Sequence, residues 1–320
     1  MRIEANFKFS CCFFSRCSVG DDIPDEAEVH EGVWVAQRLG VDLEHWPEWL
    51  GSIATNEIRE DGFALYVTAP SKHPEILDAE NQVLNRKRDD LLNGLLLQGV
   101  PTFMKGISIS GANVNGEVQI RQYSDLRNLQ PTWEMPEFRP GIAQVQRSVS
   151  LAKRLRQIQD AGQRQWGRLL RGIRVILKAN QEGNEHGDRL HQFVRALEAL
   201  VKPRIRHTRG DFVHRCQTFA LASAETRETL LQLFDLRSAV EHLHLAIDVL
   251  PGAEAERITI VNRRTRQVDA LVRFALCRVL EVDALFDTFR TNDQIDAFWQ
   301  LQDHECVTAW GDRLNIVAIQ

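Results

Sequence analysis

The stretch LQLFDLRSAVEHLH, Leu231–His244, predicts an amphipathic helix. Its apolar residues recur at three- and four-residue steps, and neither glycine nor proline interrupts it. Arg237 and His242 form an Arg-x4-His pair within it. A guanidinium group can bind phosphate oxygens through paired hydrogen bonds, and an imidazole can transfer protons near neutral pH. The pair therefore supplies the two kinds of side chain that RNA cleavage without a metal requires.

The same spacing is also compatible with a purely structural role. Five residues advance about 140° around a helix, so Arg237 and His242 do not share a narrow stripe. Arg237 and Glu241 have the i,i+4 spacing of an ordinary surface ion pair. His242 would then lie on the edge of the helix beside Ser238. Spacing alone leaves both interpretations open.

Two earlier segments have the composition of helices that pack together with this one. HQFVRALEAL (His191–Leu200) and FVHRCQTFA (Phe212–Ala220) precede LFDLRSAVEH (Leu233–His242) in the chain. These three segments, in this order, resemble the HEPN superfamily, in particular its Apea-like domains. The resemblance covers about residues 145–285 and does not extend clearly to the N-terminal part.

The resemblance implies an all-α HEPN-like bundle that acts as a metal-independent endoribonuclease and needs no cofactor. Arg237 would stabilise charge on the scissile phosphate, and His242 would move the proton of the 2′-hydroxyl or of the leaving 5′-oxygen. Ser238 matches the polar residue that usually follows the arginine, and Glu241 is a supporting candidate. The product would carry a 2′,3′-cyclic phosphate. The implied settings are phage defence, toxin–antitoxin pairs and stress responses.

One departure from the family pattern and one alternative function remain open. The family's histidine is followed by glycine, whereas Leu243 follows His242 here. The alternative is a HEPN-like module without catalysis that binds RNA, a nucleotide or a protein partner. Two copies facing each other would bring two arginines and two histidines around one groove, so we expect a homodimer whose interface includes the 231–244 helix. An antitoxin or regulatory protein is a further expected partner.

Charge is distributed unevenly along the chain, whose net charge is −5. Residues 1–140 hold 13 basic and 22 acidic residues, whereas residues 147–215 hold 16 basic and 6 acidic residues. A local basic excess of this size is expected where a polyanion such as RNA binds, although a solvated arginine-rich helix face has the same composition. In the connector KPRIRHTRG, we predict RNA contacts from Arg204, Arg206 and Arg209.

The pattern along the chain predicts an α+β protein, with an N-terminal mixed α/β domain in residues 1–135 and an all-α domain in residues 141–320. Short aromatic and β-branched segments predict strands in residues 1–70, with IEANFKFS and CCFFSRCSV as two of them, and in residues 106–123, with a turn across Gly111–Gly116. The segment LEHWPEWLGSI (residues 43–53) is predicted to form a short helix or a covering loop. A helix is predicted over 74–98 between them. Three prolines within 131–140 rule out a regular helix or a central strand there and mark the boundary. A single long helix is predicted over 144–179, and helices follow to near 302. The N-terminal domain is expected to act as a sensor or regulator.

Composition and missing motifs narrow the function classes. No apolar run is long enough to cross a bilayer, and the N-terminus lacks a signal-peptide pattern, so we expect no membrane association and a cytoplasmic location. Cys11, Cys12, Cys17 and His30 could form a metal site, but buried strand residues are the favoured interpretation, and no metal is predicted. The chain contains no phosphate-binding glycine loop, zinc-protease motif or hydrolase nucleophile motif, which disfavours those enzyme classes.

Overall fold

The computed structural model describes residues 3–39, 47–126, 129, 137–162, 164–180 and 186–320. An antiparallel sheet forms the N-terminal part and helices form the C-terminal part, so the α+β prediction is confirmed. The described chain divides into two compact units, with residues up to 155 in unit 1 and residues from 156 onward in unit 2. Residues 141–155, which the sequence analysis assigns to the all-α domain, thus belong to unit 1. The prolines at 131 and 136 lie outside the described residues.

Unit 1 is built around one six-stranded sheet. Its strands are β1 (Phe7–Ser15), β2 (Glu26–His30), β3 (Val33–Ala36), β4 (Gly62–Pro70), β5 (Lys105–Val114) and β6 (Glu117–Asp125). The spatial order is β2-β3-β4-β1-β5-β6, and every neighbouring pair is antiparallel. The helices of unit 1 are α1 (Pro47–Leu50), α2 (Ser52–Arg59), α3 (Ala79–Leu96) and the first part of α4 (Ile142–Ala161).

Strand β1 lies in the middle of this sheet and is buried on both faces. Successive side chains of a strand point to opposite faces. Phe9, Cys11 and Phe13 therefore join an apolar core on one face. On the other face Ser10 donates a hydrogen bond to Asn85 of α3 at 2.7 Å. The sequence predicts two short strands in this region, but pairing with both β4 and β5 makes one nine-residue strand.

Local turn and cap chemistry sets the other boundaries in unit 1. Helix α3 begins at Ala79 and not at Pro74, because the Asp78 carboxylate caps it by accepting the N–H of Glu80 at 2.9 Å. The turn expected across Gly111–Gly116 is confined to two residues with positive φ, Asn115 and Gly116, and the flanking strands extend to meet it. Residues 43–46 of the segment LEHWPEWLGSI lie outside the described residues.

Unit 2 is helical and contains the last turns of α4. Its other helices are α5 (Gly167–Ala179), α6 (His186–Val201), α7 (Thr208–Cys216), α8 (Ala224–Glu241), α9 (Glu254–Glu281), α10 (Asp283–Thr288), α11 (Asn292–Phe298) and α12 (Asp303–Trp310). Helix α6 packs against α5, α7, α8 and α9. Its apolar residues Phe193, Val194, Leu197 and Leu200 are almost fully buried, as their spacing predicts.

The prediction of one helix over 144–179 is wrong, because the chain forms α4 and α5 with a break between them. Gly162 has a φ of +70°, and Trp166 has a φ of 53°, so both adopt a left-handed conformation that ends regular α-helix. The Trp166 indole is buried and donates to the Phe286 carbonyl at 2.8 Å. The left-handed conformation of Trp166 thus occurs together with the burial of its indole, and helical periodicity in the sequence does not predict either of them.

The six cysteines are all buried. Cys11 and Cys12 are adjacent residues of β1 and so face opposite sides of the sheet, and burial raises the pKa of both thiols. His30 is exposed at the end of β2. Among the described residues, no group of three or more His, Cys, Asp or Glu side chains is placed to hold a metal ion. Within the same part of the chain, no helix combines the length and apolarity needed to cross a membrane.

Candidate active site

Helix α8 carries the Arg-x4-His pair and ends earlier than the sequence predicts. The helix was expected to include His244, but it ends at Glu241, and His242 is the C-cap residue. The N–H of His244 donates to the Ala239 carbonyl at 3.0 Å, and the N–H of Leu243 donates to the Val240 carbonyl at 3.0 Å. These two bonds form a Schellman motif, which satisfies carbonyl groups that the helix end leaves free.

Leu243 has a backbone conformation that favours glycine. Its φ is 63°, in the left-handed region, where a β-carbon is unfavourable. The Leu243 side chain is 95% exposed, so burial does not offset this strain. The chain therefore turns sharply after His242 even without glycine, and the histidine lies at the helix terminus.

Arg237 is held between two carboxylates. Its Nη2 donates to Glu198 of α6 at 3.0 Å, and its Nη1 donates to Glu241, one turn later on α8. The guanidinium carbon also lies 5.8 Å from the centre of the Phe234 ring. The Arg237 side chain is only 15% exposed. The i,i+4 pair anticipated from spacing therefore exists, and a second ion pair from another helix adds to it.

Two groups of α6 share the electrostatic environment of Arg237. Burial raises the pKa of the Glu198 carboxyl, and the positive charge of Arg237 opposes this shift. Burial lowers the pKa of the His191 imidazole, and the charges of Arg237 and Arg195 lower it further. The two residues are seven positions apart, which places them on the same side of α6.

This cluster contains polar atoms without partners. Nε2 of His191 and Nε of Arg237 are both buried, and neither makes a hydrogen bond within the described residues. A buried polar group without a partner costs free energy, so such atoms are rare and point to a ligand, a solvent molecule or a functional role. Arg195 is exposed, and no ion pair or hydrogen bond of its side chain is found in the described part of the chain.

His242 is solvent-accessible, whereas His191, Glu198 and Arg237 are partly buried. Its backbone N–H donates to the Ser238 and Ala239 carbonyls at 3.2 and 3.1 Å, which anchors the residue at the end of α8. The imidazole is exposed and has no hydrogen-bond or ion-pair partner among the described residues. Ser238 is half-buried one turn earlier. His242 is thus fixed through its backbone while its ring is accessible to a ligand.

The three arginines predicted to bind RNA differ in their availability, and Arg209 lies in the first turn of α7 while Arg204 and Arg206 precede that helix. Arg204 donates from Nε and Nη2 to Asp211 at 2.8 and 2.7 Å, and Arg209 donates likewise to Asp235 at 2.9 and 2.7 Å. The Arg204 guanidinium holds the pKa of the Asp211 carboxyl down at about 2. Arg206 is exposed, has a φ of 72° and has no ion pair within the described residues.

The structure therefore brings together one group of residues that can be predicted only in part from the sequence. Arg237 and Glu241 are joined to Glu198, with His191 and Arg195 nearby, and His242 follows at the helix terminus. His191, Arg195 and Glu198 were not predicted as site residues, although they lie in the quoted segment HQFVRALEAL. The three residues are spaced four and three positions apart, which places them along one side of a predicted helix. This spacing could have indicated that they belong to one site.

Comparison of the chain with protein-family models, with curated proteins and with solved structures found no match.

Proposed function

We propose that the chain is a metal-independent endoribonuclease of the HEPN type, with its active site at the α6–α8 surface of unit 2. The observation that supports this most is the combination of a buried, carboxylate-held Arg237 with the exposed His242 at the terminus of the same helix. The cluster also contains two groups with shifted pKa values, Glu198 and His191, and two buried polar atoms without partners among the described residues, and such features occur at functional sites.

The chemistry assigned to these residues is an internal transesterification. The 2′-oxygen of the RNA attacks phosphorus, the bond from phosphorus to the 5′-oxygen breaks, and a 2′,3′-cyclic phosphate forms. His242 accepts the 2′-hydroxyl proton or donates a proton to the departing 5′-oxygen. Arg237 releases one of its carboxylate partners and binds the scissile phosphate instead. A guanidinium group can form paired hydrogen bonds with either anion. Ser238 and Glu241 support this end of α8.

RNA binding is assigned first to exposed cations that have no carboxylate partner. Arg195 fits this description and lies within the cluster, and Arg206 fits it in the connector. Arg171 and Arg174 of α5 are also exposed and have no ion pair in the described structure. Arg204 and Arg209 could contact the RNA backbone only if the RNA displaced Asp211 and Asp235 from them. They are therefore weaker candidates for RNA binding.

A homodimer through the end of α8 completes the proposal. Leu243, Leu245 and Val249 are at least half exposed within seven residues of His242. Clustered exposed apolar side chains commonly mark interaction surfaces. A second copy on this surface would place two His242 side chains near one RNA groove. We place this enzyme in the cytoplasm, with an antitoxin or regulatory protein as a further partner and unit 1 as its sensing part.

One observation favours a second function. Both carboxylates that contact Arg237 neutralise its charge, and together they make Arg237 a structural connection between α6 and α8. An arginine satisfied in this way suits a HEPN-like module that binds RNA, a nucleotide or a protein without cleaving RNA.

The deciding experiment is cleavage of end-labelled RNA by the full chain in the presence of EDTA. We expect products ending in a 2′,3′-cyclic phosphate, and a loss of about 100-fold or more in rate for His242→Ala. His304→Ala, which alters an exposed histidine of α12, is the matched control and should keep the wild-type rate. Full activity of His242→Ala, or loss of activity in EDTA, would overturn the mechanism. RNA binding without cleavage would instead support the non-catalytic function.

A further inference from the structure

Unit 1 contains a cavity that the proposed nuclease does not use. Its volume is about 620 Å³, which is within the range of small-molecule sites. The cavity is lined by Leu50, Asn85, Arg88, Ser108, Ser110, Arg121, Gln122, Tyr123 and Ser124. These residues come from α1, α3, β5 and β6. All of them belong to unit 1, so the described lining of the cavity lies within that unit.

The charge of this lining contrasts with that of the surrounding sequence. Two of the nine lining residues are arginines and none is a carboxylate. Residues 1–140, by contrast, contain 22 acidic and 13 basic residues. A lining that contains arginines and no carboxylate, within an otherwise acidic part of the chain, favours an anion over a cation.

A β-bulge determines the position of Arg121. Ser110 of β5 pairs with Gln122 of β6, but the next residue, Gly111, pairs with Ile120, so Arg121 is the extra residue of the bulge. A bulge interrupts the alternation of side chains and redirects the residue it contains. Only glycine fits at position 111, because a β-carbon there would lie 1.9 Å from the Gln119 carbonyl oxygen. Such bulges are frequent at sheet edges and beside binding sites.

The guanidinium group of Arg121 has unused hydrogen-bonding capacity. Its Nη1 is buried and has no hydrogen-bond partner within the described residues, and its Nη2 makes only a long contact of 3.4 Å to Gln119. Arg88 differs, because its Nε and Nη2 both donate to Asp89, at 2.9 and 2.6 Å. Arg88 also donates from Nη1 to Ser10 and Ser108. Arg121 is therefore the cation that a ligand can engage without displacing a carboxylate.

Hydroxyl and amide groups complete the lining. Ser108, Ser110 and Ser124 contribute three hydroxyl groups, and Asn85 and Gln122 contribute amides. The Gln122 carbonyl oxygen already accepts from Asn85 at 2.9 Å and from Ser110 at 2.8 Å, which holds these groups in a connected network. The Ser110 hydroxyl already donates to Gln122, so the guanidinium group of Arg121 and the hydroxyls of Ser108 and Ser124 are the donors offered to the oxygens of a tetrahedral oxyanion.

We propose that this cavity binds a small molecule bearing a phosphate monoester, with the phosphate on Arg121 and the remainder of the molecule filling the cavity. A volume of about 620 Å³ exceeds that of a phosphate ion alone and leaves room for a group of the size of a nucleoside. Leu50 and Tyr123 also line the cavity, and both pack in part against the apolar core of the sheet. The proposal depends on unit 1 only and does not rest on the proposed nuclease.

The test measures binding to the full chain by calorimetry and by the shift in unfolding temperature, with adenosine 5′-monophosphate, adenosine, inorganic phosphate and citrate as probes. We expect the monophosphate and inorganic phosphate to bind and adenosine to fail. Arg121→Gln should weaken monophosphate binding at least tenfold, and Arg121→Lys should weaken it less. Arg86→Gln removes an exposed arginine of α3 that does not line the cavity, and it should bind as the wild type does.

Several results would overturn this proposal. Binding of citrate without either phosphate probe would assign the cavity to carboxylates. Monophosphate binding that survives Arg121→Gln but is lost in Arg237→Ala would place the phosphate in unit 2. Absence of binding by every probe at millimolar concentration would also contradict the proposal, provided that the wild type shows a cooperative unfolding transition. The unliganded unfolding temperatures of the variants show whether the substitutions alter the fold.

Discussion

The guanidinium group of Arg237 donates to the carboxylate of Glu198 at 3.0 Å, and this ion pair connects α8 to α6. The two side chains are 15% and 18% exposed, so water screens their interaction only in part. Glu198 competes with any phosphate for the same guanidinium nitrogen. The strength of RNA binding should therefore depend on this carboxylate as well as on the arginine.

We predict that Glu198→Gln strengthens RNA binding. The substitution removes the negative charge facing Arg237 and keeps a side chain of the same shape, so we expect the dissociation constant to fall by about threefold or more at low salt. The gain should shrink as salt is raised, since ions screen the added positive charge. Fluorescence anisotropy with labelled RNA measures both effects.

Glu228→Gln provides the matched control for this experiment. Glu228 is exposed on the same helix, so the substitution changes the net charge of the protein equally without altering the contacts of Arg237. An equal gain in affinity from both variants would show that net charge, and not release of Arg237, strengthens binding.

Leu243→Gly should stabilise the protein. Leu243 has a φ of 63° and a side chain that is 95% exposed, so glycine relieves backbone strain and removes almost no buried surface. Non-glycine residues in this conformation cost about 1 kcal/mol, and we expect a rise of that order in the free energy of unfolding. Urea denaturation at low protein concentration gives the value. Leu243→Ala retains the strain and should not stabilise, so equal midpoints for the two variants would refute this explanation.

The stability of unit 2 should decrease as the pH falls below about 6.5, the ordinary pKa of histidine. Burial and two arginines lower the pKa of His191, so the unfolded chain binds a proton at a higher pH than the folded chain does. Between the two pKa values the unfolded state holds more protons, and stability therefore rises with pH across this window. A single group contributes at most about 1.4 kcal/mol per pH unit.

Urea midpoints for the wild type and His191→Gln between pH 5 and pH 8 test this dependence. His191→Gln should show a weaker loss of stability on acidification than the wild type. His304→Gln, at an exposed site, should follow the wild type. Parallel curves for wild type and His191→Gln would show that other groups cause the pH dependence.

Mixing two inactive variants tests the proposed dimer. If the site combines Arg237 of one subunit with His242 of the other, then a mixture of Arg237→Ala and His242→Ala proteins regains part of the cleavage activity through its one intact combination. If both residues act within one subunit, mixing restores nothing. Light scattering on the wild type supplies the oligomeric state, and a monomer with full activity would contradict the composite site.

Features that depend on neighbouring residues could be predicted from the sequence. The α+β division, the helical pattern of α6 and α8, and the β5–β6 hairpin follow from hydrophobic periodicity and turn residues, because hydrogen bonding and burial at these segments repeat over a few positions. The Arg237–Glu241 pair belongs to the same class, since four residues bring side chains together on any helix.

The partners and exact ends of these elements depend on contacts distant in sequence. Glu198 and Arg237 are 39 residues apart, so no local pattern joins them. The same applies to Arg209 and Asp235, whose pairing is decided by how α7 packs on α8. The bulge at Arg121 arises from pairing between two strands, and the end of α8 at Glu241 from a backbone conformation that leucine seldom adopts.

The sequence by itself thus determined the helical segment that contains Arg237, the residue proposed to hold phosphate, because helical periodicity repeats over a few neighbouring positions. Only the tertiary structure decided the surroundings of Arg237 and His242. It places Arg237 against a carboxylate of another helix and exposes His242 at a helix terminus. It also gathers Arg121, Arg88 and three serines around one cavity. Charge and burial at a site are sums over groups brought together by packing, and packing depends on the whole chain rather than on any one segment.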